Sequence, residues 1–310
     1  MTTVVEITEL TKDYDVGFWK KRKVRALDAL SLTVNRGEIF GFLGANGAGK
    51  TTTLKLLMGL IFPTAGTARV LDQDIGDVSM HRRIGYLPEN PYFYDYLTAR
   101  EFMDYLGQIF GLDSSQRQAR TEQLLSRVHL DPTRWDVQLR KFSKGMLQRV
   151  GLAQSLINDP EVVFLDEPMS GLDPVGRRQV RDLIASLKLE SKTVFMCSHI
   201  LSDIEVLCDR VAILKQGRLS QVGSLVELQR RAGDSHQIEL LATGTDEMRL
   251  RNHLSTAHRE LKIVTTASGL RVELADESQV DDALAALRKA GGKLVSVQPL
   301  RQSLEELFLD

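Results

Sequence analysis

Cysteine is nearly missing from this chain. Cys197 and Cys208 are the only two among 310 residues, and their spacing suits no metal site. Cys197 falls in an apolar stretch where a thiol packs as a small hydrophobe, so a reducing cytoplasm is expected. Surplus charge is missing too. With 40 Lys and Arg against 41 Asp and Glu, the net charge is -1, which gives no bulk attraction toward nucleic acid. Long apolar runs are absent: residues 54–62 are interrupted by Lys55 and Gly59, and nothing approaches the ~18 residues of a spanning helix. Residues 1–6 lack the charged and apolar regions of a signal peptide. What remains is length enough for two domains with ample core.

The most informative stretch present is Gly44-Ala45-Asn46-Gly47-Ala48-Gly49-Lys50-Thr51-Thr52. It has the phosphate-loop pattern of a glycine, four residues, then Gly-Lys-Thr. The apolar run 38–43 before it predicts a buried strand, and residues 54–58 predict a helix ending at Gly59. Glycines let successive backbone N–H groups face one anion, and the helix N-terminus adds its positive dipole end. In that pattern Lys50 reaches the β- and γ-phosphates of a nucleoside triphosphate and the Thr51 hydroxyl holds Mg²⁺.

A second apolar run, Val162-Val163-Phe164-Leu165, ends in Asp166-Glu167-Pro168. It predicts a buried strand delivering two carboxylates at its C-terminal end, where open α/β sheets bind ligands. Asp166 suits the magnesium shell and Glu167 suits a base that polarises an attacking water.

Further motifs follow in order. They are Phe142-Ser143-Lys144-Gly145-Met146 with Gln148-Arg149, then Ser170-Gly171-Leu172-Asp173, then His199 after an apolar run 193–197. Together with the two nucleotide motifs they closely resemble an ATP-binding cassette (ABC) nucleotide-binding domain, across residues 1 to about 223. Within it the resemblance is strongest to cassettes of exporters of the drug-resistance and gliding-motility type. It implies ATP and Mg²⁺ as ligands, Lys50, Glu167 and His199 as catalytic residues, and Tyr14 as the aromatic that stacks on adenine. Ser143, Lys144 and Gly145 are implied to meet the nucleotide of a second copy, and Asp173 is implied to be a nucleotide-binding residue. Two departures stand out: Glu89, in Leu87-Pro88-Glu89, replaces the usual glutamine, and Lys144 and Met146 replace a glycine and a glutamine. Glu89 still offers oxygen to Mg²⁺, a hard cation.

The implied fold is α/β, a P-loop NTPase of the ABC type with a mixed-sheet core, over residues 1–230. Residues 4–7, 32–34 and 39–43 are expected to open that sheet. Residues from about 90 to 160 should form a helical subdomain, with Met146, Val150, Ala153 and Ile157 as a core stripe on a helix stopped by Asn158-Asp159-Pro160. Residues 211–222 predict a hairpin turning at Gln216-Gly217. Residues 236–310 form a separate accessory domain whose strand-helix-strand-strand-helix-strand order predicts a small α+β, ferredoxin-like fold. The chain then runs on through Ser303-Leu304-Glu305-Glu306-Leu307-Phe308-Leu309, like the tail of drug-exporter cassettes.

Two surface features stay open at this level. Residues 17–25 carry five cations beside Phe18 and Trp19, in what reads as a lengthened loop, either a solvated tip or a contact with headgroups or a partner. Five of the six tyrosines, with Phe93, lie between Tyr86 and Tyr105, where the resemblance places the coupling helix of a membrane subunit; core packing is the alternative. The implied function is the ATPase subunit of a transporter, peripheral on the cytoplasmic face of the membrane, pairing as a homodimer with an integral permease and binding no nucleic acid. The alternative is a soluble cassette ATPase acting on ribosomes or DNA. Against it, a single cassette is present and the interval from Thr51 to Asp166 leaves no room for a long inserted coiled coil.

Overall fold

The structure, a computed structural model, describes residues 2–17, 22–232, 238–254, 261–266 and 269–299. The chain divides into two compact units, Met1–Leu225 and Val226–Asp310.

In the first unit the chain runs β1 (Thr3–Val16), β2 (Arg22–Asn35), β3 (Ile39–Gly44), α1 (Lys50–Leu57), β4 (Ala65–Val70), β5 (Gln73–Asp74) and β6 (Ile84–Leu87). Three helices follow, α2 (Ala99–Ile109), α3 (Ser114–Arg127) and α4 (Lys144–Gln154). The chain then returns to β7 (Val162–Asp166), α5 (Pro174–Leu189), β8 (Thr193–Ser198), α6 (Leu201–Leu207), β9 (Arg210–Lys215) and β10 (Arg218–Ser224); α7 (Leu225–Ala232) starts at the boundary and falls otherwise in the second unit.

These strands form two sheets, which corrects the expectation of one sheet opened by residues 4–7, 32–34 and 39–43. β2-β1-β4-β5 are antiparallel, whereas β3 lies inside a six-stranded sheet of order β10-β9-β3-β8-β7-β6. The hydrophobic pattern explains the division. Leu30, Leu32 and Val34 on β2 are buried while Ser31 and Thr33 are exposed, and a strand with one apolar face suits an antiparallel sheet open on one side. β3, β7 and β8 are buried at every position, as parallel strands covered on both faces must be. The second sheet is mixed, because β10 pairs antiparallel with β9 while the rest are parallel. The β9–β10 hairpin turns at Gln216 and Gly217, both with positive φ (48° and 80°), the type I′ geometry that matches strand twist.

Aromatic packing aligns the central strands. The Phe195 ring on β8 lies 5.5 Å from Phe40, 5.3 Å from Phe42 and 5.8 Å from Phe164, so one side chain ties β3, β7 and β8 together. The register follows: Leu43 lies beside Ser198, and Asp166 beside Cys197. Three strand ends therefore emerge at one edge.

The helical stretch begins with two capping boxes, Thr98 with Glu101 on α2 and Asp113 with Gln116 on α3. Val150 and Ala153 on α4 are fully buried, yet the helix ends at Gln154, earlier than Asn158. The Ser155 hydroxyl donates to Leu152 O (2.8 Å), and Leu156 and Ile157 bond three residues back, which tightens the last turns. Asn158 then donates to Ile84 O at 2.8 Å and Arg82 O at 3.1 Å, pinning the exit to β6.

The β1–β2 ladder continues past Tyr14, pairing Tyr14 with Val24 and Asp15 with Lys23. Residues 22–25 are therefore strand and not loop; residues 18–21 lie outside the described residues. Arg25 forks onto Asp13 (2.8 Å) and Asp28 (2.9 Å), so this cation is committed to its own hairpin. The tyrosine-rich stretch divides as well. Phe93 is buried edge-on against Phe102, 5.2 Å between centroids, and Tyr86 is half-buried, whereas Tyr92, Tyr94, Tyr96 and Tyr105 are exposed. Tyr94 packs at 6.1 Å from Tyr96 and at 5.8 Å, edge to face, from Tyr105.

The second unit contains β11 (Ile238–Thr243), α8 (Glu247–His253), β12 (Lys262–Thr266), β13 (Gly269–Leu274), α9 (Val280–Lys289) and β14 (Lys293–Pro299). Its sheet is antiparallel, in the order β12-β13-β11-β14. Leu270, Val272 and Leu274 alternate into a core with Leu240, Leu250, Ala283 and Leu287. Between them Arg271 pairs with Glu239 (2.6 Å), and Glu273 with Lys262 (3.1 Å). Residues 303–309 lie outside the described residues.

Candidate active site

The loop between β3 and α1 is shaped by its glycines. Gly49, with φ 109°, caps α1, and a Cβ there would meet Ala26 O at 2.6 Å; no other residue fits that space or that conformation. Lys50 starts the helix and is 6% exposed. Its Nζ donates to Gly44 O (2.6 Å) and Ala45 O (3.3 Å) and lies 3.6 Å from Glu167 Oε1. The Thr51 hydroxyl donates to Asp166 Oδ2 at 2.8 Å, joining the loop to the end of β7.

Two buried carboxylates face this loop. Asp166 is 1% exposed, and its pKa is pushed up to about 6. Burial is the main cause; the Thr51 hydrogen bond opposes it, and the negative charges of Glu167 and Glu89 add to it. Glu167 stands on a left-handed elbow, φ 50°, held by its N–H donating to Cys197 O at 3.0 Å. His199 Nδ1 lies 2.9 Å from Glu167 Oε2. Asp166 Oδ1 and Glu167 Oε1 are buried without a hydrogen-bond partner. Unsatisfied carboxylate oxygens are expensive, and a hard cation with its water is the chemistry that suits them.

Asn46, Gly47, Gly49, Lys50, Thr51, Thr52, Glu89, Asp166 and Glu167 line one cleft of about 240 Å³. A neighbouring cleft of about 140 Å³ continues past Glu167 to Ser170, Arg177, Ser198 and His199. Glu167 borders both. Larger cavities, one of about 710 Å³ between α2 and α3 and one of about 580 Å³ between α3 and residues 157–159, hold none of the candidate residues.

Residues 27–170 match the ABC transporter family. An uncharacterized ABC transporter ATP-binding protein of Synechocystis sp. is 47% identical, covering 99% of this chain and 84% of that relative. The chain belongs to the ABC transporter ATP-binding proteins. The bacitracin transport ATP-binding protein BcrA of Bacillus licheniformis is 40% identical to it, over 74% of this chain and 73% of that one. The dimeric cassette MJ0796, in a post-hydrolysis state bound to ADP and Pi, has the same fold, with a TM-score of 0.66, 24% identity, and 71% and 98% of the two chains covered. The protein is thus an ATP-binding, ATP-hydrolysing subunit of a transporter, built as a cassette with helices on a mixed sheet.

Several cassette residues lie outside both clefts. Gly44 and Ala48 form the buried base of the loop. Tyr14 is half-buried on β1 under Lys12 Nζ, 5.2 Å from the ring centroid. Ser143 caps α4, its hydroxyl accepting from Met146 N at 3.3 Å. Lys144 reaches Ser170 Oγ at 3.5 Å, and its stem covers Gly171, where a Cβ would meet Lys144 Cδ at 2.7 Å. Asp173 caps α5 by accepting from Gly176 N at 2.9 Å. Sequence reading did not select Gln148, Arg177 or Ser198 as site residues. Arg177 and Ser198 carry no motif of their own, and for Gln148 the only signal was its place just after Ser143-Lys144-Gly145.

Proposed function

We propose that this cassette is the ATP-hydrolysing subunit of an exporter whose permease is a separate membrane chain. It works as a head-to-tail homodimer, peripheral on the cytoplasmic face of the membrane. The observation that carries this reading is the division of the nucleotide machinery. Lys50, Thr51, Glu89, Asp166 and Glu167 converge on one cleft, while Ser143, Lys144 and Gly145 border neither cleft. One chain has both halves of a site that a second copy can complete, which favours a symmetric pair.

In this reading the loop N–H groups and Lys50 bind the β- and γ-phosphates, and Tyr14 stacks on adenine. Thr51, Asp166 and Glu89 fit Mg²⁺, which supplies charge neutralisation on the phosphate oxygens when bound. Glu167 orients and polarises the attacking water through Oε1, which accepts no hydrogen bond in the protein, and His199 steadies the other oxygen. From the second copy, Ser143, Gly145 and the start of α4 offer N–H groups to the γ-phosphate, Lys144 adds a cation, and Asp173 stands at the start of α5. Most of the catalysis is positioning and electrostatics.

Support for a separate permease is of two kinds. Among the described residues no helix is long and apolar enough to cross a membrane, and the exposed Tyr92, Tyr94, Tyr96 and Tyr105 supply apolar area with polar tips, the composition of interfaces. The name of the relative that serves bacitracin transport supports a cargo of that kind, a peptide antibiotic. Residues 236–310 are read as a regulatory or dimer-stabilising domain of ferredoxin-like fold. The head-to-tail pair is tested with Asn46→Cys and Ser143→Cys in one chain. Mild oxidation with ATP should give a covalent dimer on a non-reducing gel, and monomer alone under every nucleotide condition overturns the arrangement.

A further inference from the structure

We infer that Gln148 is a positioning residue for Glu167, holding from α4 the backbone elbow on which that carboxylate stands. The inference rests on the reading of Glu167 as the residue that activates water. Gln148 is 2% exposed. Its Nε2 donates to Glu167 O at 3.3 Å and to Pro168 O at 3.0 Å, so both side-chain N–H groups are spent on two consecutive carbonyls. Those carbonyls belong to a strained turn. Glu167 holds φ 50°, which a non-glycine residue keeps only where its surroundings over-determine it. The surroundings are identifiable: Glu167 N donates to Cys197 O, Ser170 N donates to Glu167 O, both at 3.0 Å, and Gln148 supplies the third restraint.

The other two restraints come from the backbone of β8 and of the turn itself. Gln148 differs because it comes from the helix that Ser143 caps. That helix is anchored independently by the adjacent Arg149, which donates to Val128 O (2.9 Å), His129 O (3.0 Å) and Gln179 Oε1 (2.7 Å). The aim of Oε1 and Oε2 therefore depends on where α4 sits. Loss of the amide should leave the phosphate loop, Lys50 and Thr51 untouched and let the elbow relax. A group that only filled space would behave otherwise, since its loss would weaken fold and nucleotide binding together.

The test uses the full-length chain with Gln148→Met, which keeps length and volume and removes both donors. kcat for ATP should fall about 10- to 100-fold, the scale of a misplacement of about 1 Å, with ATP affinity within about twofold of wild type. In a Glu167→Gln background, adding Gln148→Met should change the residual single-turnover rate by less than about twofold, because the two act through one group. If Gln148→Met does not fold, Gln148→Leu, which likewise lacks both donors, carries the same comparison. An unchanged kcat, an equal loss of ATP affinity, or multiplicative losses in the double variant each overturn the inference. Should Glu167→Gln itself keep turnover, the water-activating reading fails instead. A dead Glu167→Gln beside a fully active Gln148→Met refutes the positioning role alone.

Discussion

Replacing Glu167 with Gln removes one negative charge and one proton acceptor while keeping the shape of a side chain 7% exposed. General-base action contributes about 10²–10⁴ in rate, so turnover should fall by that factor, about 3–5 kcal/mol on the barrier. ATP affinity should move the other way. Glu167 Oε1 lies 3.6 Å from Lys50 Nζ, and at an effective dielectric of ~20 such a pair attracts by about 5 kcal/mol. Part of that attraction holds Lys50 back from a phosphate, and the same carboxylate repels the triphosphate directly. Neutralising it frees the ammonium and removes the repulsion. Phosphate release at saturating ATP measures the first effect, and titration with a fluorescent nucleotide measures the second; the variant should also hold a closed ATP-bound dimer. Retention of more than about a tenth of wild-type turnover would exclude Glu167 from the base role. A large loss of ATP affinity would show that it builds the pocket and does not serve the chemistry.

Three further outcomes are expected. Tyr14→Ala should weaken ATP binding by about 1–2 kcal/mol, the scale of a base–aromatic contact, with a smaller loss for Tyr14→Phe; unchanged affinity would place adenine elsewhere. Asp166, with its pKa raised from 3.8 to about 6, binds more protons folded than unfolded between those values, so its share of stability is present at low pH and lost as pH rises through about 6. Without nucleotide, Asp166→Asn should accordingly stabilise by about 2–3 kcal/mol near pH 8 and by about half of that near pH 5, while abolishing magnesium-dependent hydrolysis; a difference in melting temperature that does not change with pH refutes the assignment. A chain cut near Gly233 should fold and bind ATP but hydrolyse it more slowly at equal occupancy, and identical ATPase rates across protein concentration would reduce residues 236–310 to a passive appendage.

Much of the cleft was legible because its residues sit at punctuated ends of elements. Lys50 and Thr51 follow a glycine that only a helix start could need, and Asp166 and Glu167 close a run of apolar residues just before a proline. Such local signals survive without knowledge of neighbours. The split between two sheets was visible in the alternation of Leu30, Leu32 and Val34 against the unbroken run of β3, yet neighbouring position in the chain suggested one sheet. Asn158-Asp159-Pro160 is a strong stop and puts the expected end of α4 at Ile157, three residues late, whereas the helix is unwound after Gln154 by the Ser155 hydroxyl and by the bonds of Asn158 to β6. Gln148 was hardest to see. Its two acceptors are 19 and 20 residues away, and helical spacing tells only which side a residue faces.

The rings of Tyr94, Tyr96 and Tyr105 are braced on one another at 6.1 and 5.8 Å, although all three remain exposed. Whatever lands there meets side chains that have already surrendered much of their freedom. A loose side chain frozen on contact costs about 0.5–1.5 kcal/mol, and a patch that assembles itself beforehand avoids much of that cost at every encounter. Stiffness of this kind adds no new contact. For the docking surface proposed above, it would let the same grip form and release many times without the surface having to find its shape again.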